Sequence, residues 1–399
     1  MIFSMQARLK SLVNKVDLHK ANTQSVMIYL LIGVICLLSV AVRKSLVHFQ
    51  SLDYQYFSAW YDFAKEHGIH SFKYGYADGF TNYNPPYTYA LYLSTLLPIS
   101  KIMAIKGILA FFDIVLAIAV YFVVRIFRPK GHFALVVAIL TMFLPTVLFN
   151  GVLWGQFDQL YVAFILFSLW AILTSRSKLA WAFFGIALAV KFQAIFFLPV
   201  LGIASFRKIY WHHFLWGGIA FLLITLPPIF AGRSLGSLLS IYPDQARLYN
   251  GQLTLNAPNI YQWVPNSAFN YLNDAGIYLT FVLVACIVMF AVQYRKFTNK
   301  DVVLLSTLML YIVPFFLPAM HERYFFPASI ASTVLAVAYP TRRFIAIAIA
   351  SQVITVFSYC PFLFGTSPVS MSVLALGVLC IICLLGADYF LPTDDRSAE

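Results

Sequence analysis

The sequence predicts an all-α, polytopic integral membrane protein with about 10–12 transmembrane helices and interfacial helices in its first long extramembrane segment. Three observations carry that prediction. Of 399 residues, 61% are hydrophobic and only 11% charged, against about 25% charged in ordinary soluble domains; mean hydropathy is +0.81. The apolar residues gather into runs of the length a bilayer demands, because lipid offers no partner for open backbone groups and about 17–25 helical residues are needed to cross it. Lys and Arg cluster in alternate joints between those runs, the asymmetry that sets orientation.

The first run, 26–43, stands behind Arg8, Lys10, Lys15 and Lys20, and no small-residue cleavage site follows it. It reads as a retained signal-anchor helix. Further spans are expected at 103–125, 133–150, 159–174, 211–231, 276–294, 302–318, 324–339, 344–362 and 369–390. Two segments fit less well. Residues 86–99 are short and open on Pro86 behind Pro85, which suits a helix lying in the membrane surface. Residues 179–204 carry Lys191 at the middle and Pro199 beyond it, so they form either a hairpin of two short passes or a single span.

With both termini cytoplasmic in the cell membrane, the clusters Arg125/Arg128/Lys130, Arg176/Lys178, Arg207/Lys208, Arg295/Lys296/Lys300 and Arg342/Arg343 all fall inside. The net charge of +12 is then mostly topogenic, and a nucleic-acid partner is excluded because no cluster forms a continuous basic patch. The same orientation places Asp53, Asp62, Glu66, Asp78, Asp158, Asp244, Asp274 and Glu322 on the outer side. Residues 1–399 are expected to form one membrane domain: core helices over 26–231 with the outer segment 44–102, a second outer segment 232–275, and C-terminal helices over 276–391. The five cysteines all lie in apolar runs and are read as packing residues.

Four outer stretches hold the polar residues worth weighing. In SLDYQYFSAWYDFAKEHGI (51–69), Tyr56, Trp60, Phe63 and Ala64 recur at helical spacing, as in an interfacial amphipathic helix. Asp53 at its start is either an N-cap or a general base, two roles that compete for the same oxygens. GFTNYNPPYTYAL (79–91) is a stiff polar and aromatic turn, an interfacial belt or a surface for a sugar or prenyl chain. FNGVLWGQFDQLYVAF (149–164) sets Trp154, Gln156 and Asp158 where a helix re-enters the membrane. LPAMHERYFFPAS (317–329) puts His321, Glu322 and Arg323 between two apolar runs with no Gly, Asn or Ser to make a turn. Charged groups there are costly and mark function or a structural bridge. Arg323 and His321 suit an oxyanion, since a planar guanidinium grips phosphate with two parallel bonds. Asp113 and Lys191 are two more expensive residues whose partners the sequence does not name.

The ordered set LDYQYF (52–57), NYNPPY (82–87), Asp113, LWGQFDQL (153–160), ALAVKFQAIFFLPVL (187–201) and PAMHERYFF (318–326) resembles the GT-C membrane glycosyltransferases, and among them bacterial proteins related to the transferase that adds the second mannose of glycosylphosphatidylinositol anchors. The resemblance covers most of 26–340. It implies transfer of a hexose, mannose by analogy, from a polyprenyl-phosphate-sugar to a hydroxyl of a glycan, lipid or protein acceptor at the outer or luminal face. Asp53 matches the acidic base of the first outer loop and Asp158 the second acidic motif; the family's Lys-Pro-Gln appears here as Lys191-Phe192-Gln193. His321, Arg323 and Lys191 are the expected donor-phosphate ligands, with Glu322 orienting Arg323 and with Trp154, Gln156, Tyr54, Asn84 and Asp113 in support. No obligatory cofactor is expected, although Asp53 and Asp158 have the oxygen ligands for Mg or Mn. Two other readings stay open: a transporter or flippase of a lipid-linked sugar, and a polysaccharide polymerase or ligase using a diphosphate-linked donor.

Overall fold

The computed structural model describes residues 23–247, 251–294 and 296–391. Arg8, Lys10, Lys15, Lys20 and Arg295 of the basic pattern, and both chain ends, lie outside them. The described residues are mostly helical; the strands among them are one parallel pair of two residues each, Thr254–Leu255 and Met320–His321.

Seven helices are long and apolar enough to cross a membrane, or eight if Phe133–Thr141 and Pro145–Trp154, bent by 43°, are one broken span. The expected 10–12 are reached only by adding Asp158–Leu173, Ser177–Val190, Phe192–Arg207 and Phe326–Ala338. Each of these falls short of a bilayer's thickness. Protein rather than lipid covers much of the surface of two of them: Asp158–Leu173 and Phe326–Ala338 are buried on most faces. Asn299–Phe316 is the centre of the bundle, with 83% of its apolar window buried, whereas the windows of Thr23–Leu46 and Trp211–Phe230 are 11% buried.

The breaks follow local chemistry. Pro145 has no N–H to continue the helix from Phe133, so the chain kinks ahead of it. Ser177–Val190 stops at Lys191, which is extended at φ −153 and ψ 135, so 179–204 is not one continuous helix. Thr298 and Asp301 form a reciprocal capping box at the start of the central helix. Gly185 and Gly217 let Ser177–Val190 and Phe214–Thr225 cross with backbones in contact, since a Cβ on Gly185 would strike the Gly217 carbonyl.

Two expectations are corrected. The buried stripe of Tyr54–His67 is Phe57, Tyr61 and Ala64, while Tyr56 faces out; the true stripe is one residue on from the one read from spacing. Only Cys360 is buried, and Cys36, Cys286, Cys380 and Cys383 are exposed on helix surfaces, where an apolar run turns as much side chain to the bilayer as to the core. The segment 86–99 does form a short helix, Pro85–Thr95, of 11 residues.

Candidate functional site

The site is assembled from three joints of the chain. Asp53 precedes the helix Tyr54–His67 but makes no side-chain capping bond, and its backbone is helical at φ −70 and ψ −20. Its Oδ2 instead accepts from Trp154 Nε1 and Gln156 Nε2, both at 2.8 Å. Competition between the capping role and a role in the site is therefore absent. Gly155 makes this possible: its left-handed φ of 96 reverses the chain after the π-turn Phe149–Trp154, and a Cβ there would press on the Phe57 ring. Gln156 Oε1 in turn accepts from Tyr83 Oη at 3.2 Å.

The second joint is the break at Lys191. Its ammonium pairs with Asp158 Oδ1, and Asp158 Oδ2 accepts from Asn150 Nδ2 at 3.0 Å. Asp158 is fully buried, so the structure makes it the anchor of Lys191 rather than a group open to a hydroxyl. Asn84 donates to the Val190 carbonyl at 3.2 Å, fastening the NYNPPY turn beside the same break.

The third joint is the His-Glu-Arg segment. Ala319 adopts φ 57, a strained conformation for alanine, and its N–H donates to Leu253 O at 2.8 Å. Met320–His321 then pairs with Thr254–Leu255. Glu322 faces His321, with Nδ1 3.7 Å from its Oε2, and lies within electrostatic reach of Arg323. Burial pushes the Glu322 carboxyl up to about 7, against the opposing pull of Arg323. Burial, with the cations Arg323 and Lys191, holds His321 well below its ordinary 6.5, so it is a neutral imidazole. Arg323 is 8% exposed; its Nε has no hydrogen-bond partner among the described residues, and its guanidinium lies 5.5 Å from the Trp154 ring centre and 5.8 Å from that of Tyr324. Trp154 thus touches Asp53 through its N–H and Arg323 through its ring.

A cavity of about 590 Å³ opens onto Lys191, Arg323, Asn84, Tyr83 and Tyr242, with an apolar wall that includes Phe196 and Ile277. Asp53, Asp158 and His321 do not line it; Asp53 is joined to its wall through Gln156 and Tyr83. Tyr54 lies within electrostatic reach of the Asp62–Lys101 pair instead. Asp113 is elsewhere, bonded by Arg43 at 2.9 and 2.7 Å, which makes it half of a structural bridge. In the 232–275 segment Tyr242 lines the cavity, whereas Asn259 caps a short helix and Tyr261 bonds the Phe316 carbonyl at 2.7 Å.

Asp53 and Asp158 do not make a shared metal site. One is held by two N–H donors and the other by an ammonium, which a divalent ion would have to displace, and no cluster of three metal-ligating side chains forms among the described residues. Arg43, Asn150 and Ser51 belong to this framework but carry no distinctive signal in sequence, since each looks like ordinary polar flanking of an apolar run.

Residues 80–320, more than half of the chain, match Glycosyltransferase family 87. No curated protein matches the chain.

Proposed function

The chain belongs to glycosyltransferase family 87, and from that premise we propose that it transfers a hexose from a polyprenyl-monophosphate carrier to an acceptor hydroxyl at the outer face, with inversion at C1. The observation that carries this reading is the buried guanidinium of Arg323, which lines the cavity, has no hydrogen-bond partner for its Nε among the described residues and stands one indole away from Asp53. A buried guanidinium with an unpartnered donor beside an apolar wall suits a phosphodiester with a prenyl tail. It suits a diphosphate less well, because the charge of the other cavity cation, Lys191, is already taken by Asp158.

A sugar hydroxyl is a weak nucleophile. As its oxygen attacks C1, Asp53 removes its proton, while the C1–O bond to phosphate breaks and both electrons leave with the phosphate. Both bonds from Trp154 and Gln156 fall on Oδ2, which leaves Oδ1 for the acceptor. Charge growing on the leaving phosphate is stabilised by Arg323, already in place and largely desolvated. One direct displacement inverts the anomeric centre. Mannose is the sugar on resemblance, and family membership favours transfer over translocation.

The test supplies a polyprenyl-monophosphate hexose and candidate acceptors to the purified protein. The expected result is glycosidic product, with Asp53→Asn binding donor normally but turning over about 10²-fold more slowly. Translocation without product, or full turnover by a folded Asp53→Asn protein, contradicts the reading. For the face, a cysteine at Asp78 is expected to react with an impermeant thiol reagent outside intact cells and one at Lys178, likewise exposed on the fold, is not; the reverse pattern inverts the orientation.

A further inference from the structure

Lys106 is a buried cation that the reaction above does not use. It sits in the second turn of Lys101–Phe127, 2% exposed, and no carboxylate of the described residues pairs with it. Its ammonium donates instead to two backbone carbonyls, those of Phe49 and Leu153, the latter at 3.5 Å. An ammonium in an apolar helix is costly, and these two acceptors are not arbitrary. Phe49 lies in the strand of chain that leads into Asp53, and Leu153 immediately precedes Trp154. The same two segments are joined directly by Ser51 Oγ, which donates to Trp154 O at 2.6 Å, and by the Trp154 and Gln156 bonds to Asp53. Lys106 is the member of this clamp that comes from a third element, a long helix whose own position is set by packing along its length.

We propose that Lys106 is a positioning residue for the general base: it pins the Phe49–Asp53 segment against the Leu153–Gln156 turn, so that Asp53 is held at the correct distance from the acceptor. The inference rests on the reading of Asp53 as the base. A carboxylate on a loop is free to drift unless its flanks are tied, and a displacement of about 1 Å in a reacting group costs on the order of 10²-fold in rate. Two carbonyls pointing at one spot in a membrane-embedded protein also need a donor, and an ammonium with three N–H groups can serve both at once.

The experiment is a double-mutant cycle on the full chain, using Lys106→Met, Asp53→Asn and the double variant, with single-turnover transfer, donor affinity and thermal stability measured for each. Lys106→Met keeps the length and apolar stem of the side chain and removes the donor. Transfer by Lys106→Met is expected to fall by about 10-fold to 10²-fold with donor affinity within about twofold of the parent, because the cavity cations are untouched. In the Asp53→Asn background the same substitution is expected to have little further effect, since a base that is absent cannot be misplaced. Lys106→Arg, which can still donate to both carbonyls, is expected to recover most of the loss. Where Lys106→Met does not fold, the cycle is run with Lys106→Gln, which keeps an amide N–H donor group on a shorter, uncharged stem. Additive losses in the double variant, or a parallel fall in donor affinity, overturn the inference and leave Lys106 a general stabiliser of the bundle. Parent-like transfer by Lys106→Met alongside an impaired Asp53→Asn also overturns it. An unimpaired Asp53→Asn protein instead overturns the assignment of the base itself.

Discussion

Arg43 and Arg323 are equally buried, each 8% exposed, and each sits where an apolar helix begins or ends. Arg43 spends its guanidinium completely: two N–H groups go to Asp113 Oδ2, one to Ser39 Oγ at 2.6 Å, one to the Ser39 carbonyl at 3.3 Å, and one to the Met142 carbonyl at 2.8 Å. That carbonyl is left open where the broken helix Phe133–Thr141 ends, so the network ties three segments and satisfies the break. Arg323 has aromatic rings on its flanks and a cavity in front of it, and its Nε has no partner among the described residues. The cost of burying a guanidinium is similar in both places. What separates a structural bridge from a binding group is whether the fold supplies the counter-charge or leaves that to a ligand.

The largest effect expected from this contrast is on folding. Asp113→Asn leaves Arg43 buried without its carboxylate, and breaking a buried ion pair from one side costs about 3–5 kcal/mol. The variant is expected to lose thermal stability and yield while the surviving folded fraction transfers sugar at the parental rate per molecule. Normal stability with lost transfer would move Asp113 into the chemistry and dissolve the contrast.

A smaller effect sharpens the same comparison at the Arg323 end. Glu322 holds its proton to about 7 in the fold, raised from an ordinary 4.5 chiefly by burial. As pH rises through 4.5 the unfolded chain loses that proton first, so stability falls between about 4.5 and about 7 and is level above, each unit of separation being worth about 1.4 kcal/mol. Thermal melting of Glu322→Gln is expected to be flatter than the parent across that window. An identical decline in both would mean that another group titrates there.

Much of the fold was legible in the sequence because hydropathy over 18 or more residues leaves few alternatives; the long helices fall where the apolar runs lie. The broken pair at Met142–Leu144 and the interruption at Lys191 were less legible, since a kink depends on which carbonyls find a partner. At the site, the sequence exposed the costly residues but not their pairing. Asp113 and Asp158 look alike as acids in apolar surroundings, and only three-dimensional contact shows that Arg43 closes one and Lys191 the other. Arg43 itself reads as the basic flank of a first span, and Lys106 as the start of a second. The turn at Ala319 had no signal, because alanine is not a residue that chooses a left-handed conformation; the pairing of Leu253–Leu255 with the His-Glu-Arg segment imposes it.

The most direct measurement of the central claim, that Arg323 awaits a lipid-borne phosphate, is equilibrium binding of a polyprenyl-monophosphate hexose to the parent, Arg323→Lys and Arg323→Ala at matched thermal stability. Arg323→Ala is expected to lose about 2 kcal/mol or more of binding free energy, the scale of removing one partner from a buried charged contact. Arg323→Lys is expected to fall between it and the parent, because an ammonium keeps the charge but not the planar fork. Parental affinity in both variants would contradict the account: Arg323 would then be a second Arg43, satisfied by its aromatic neighbours, and the phosphate would be held elsewhere.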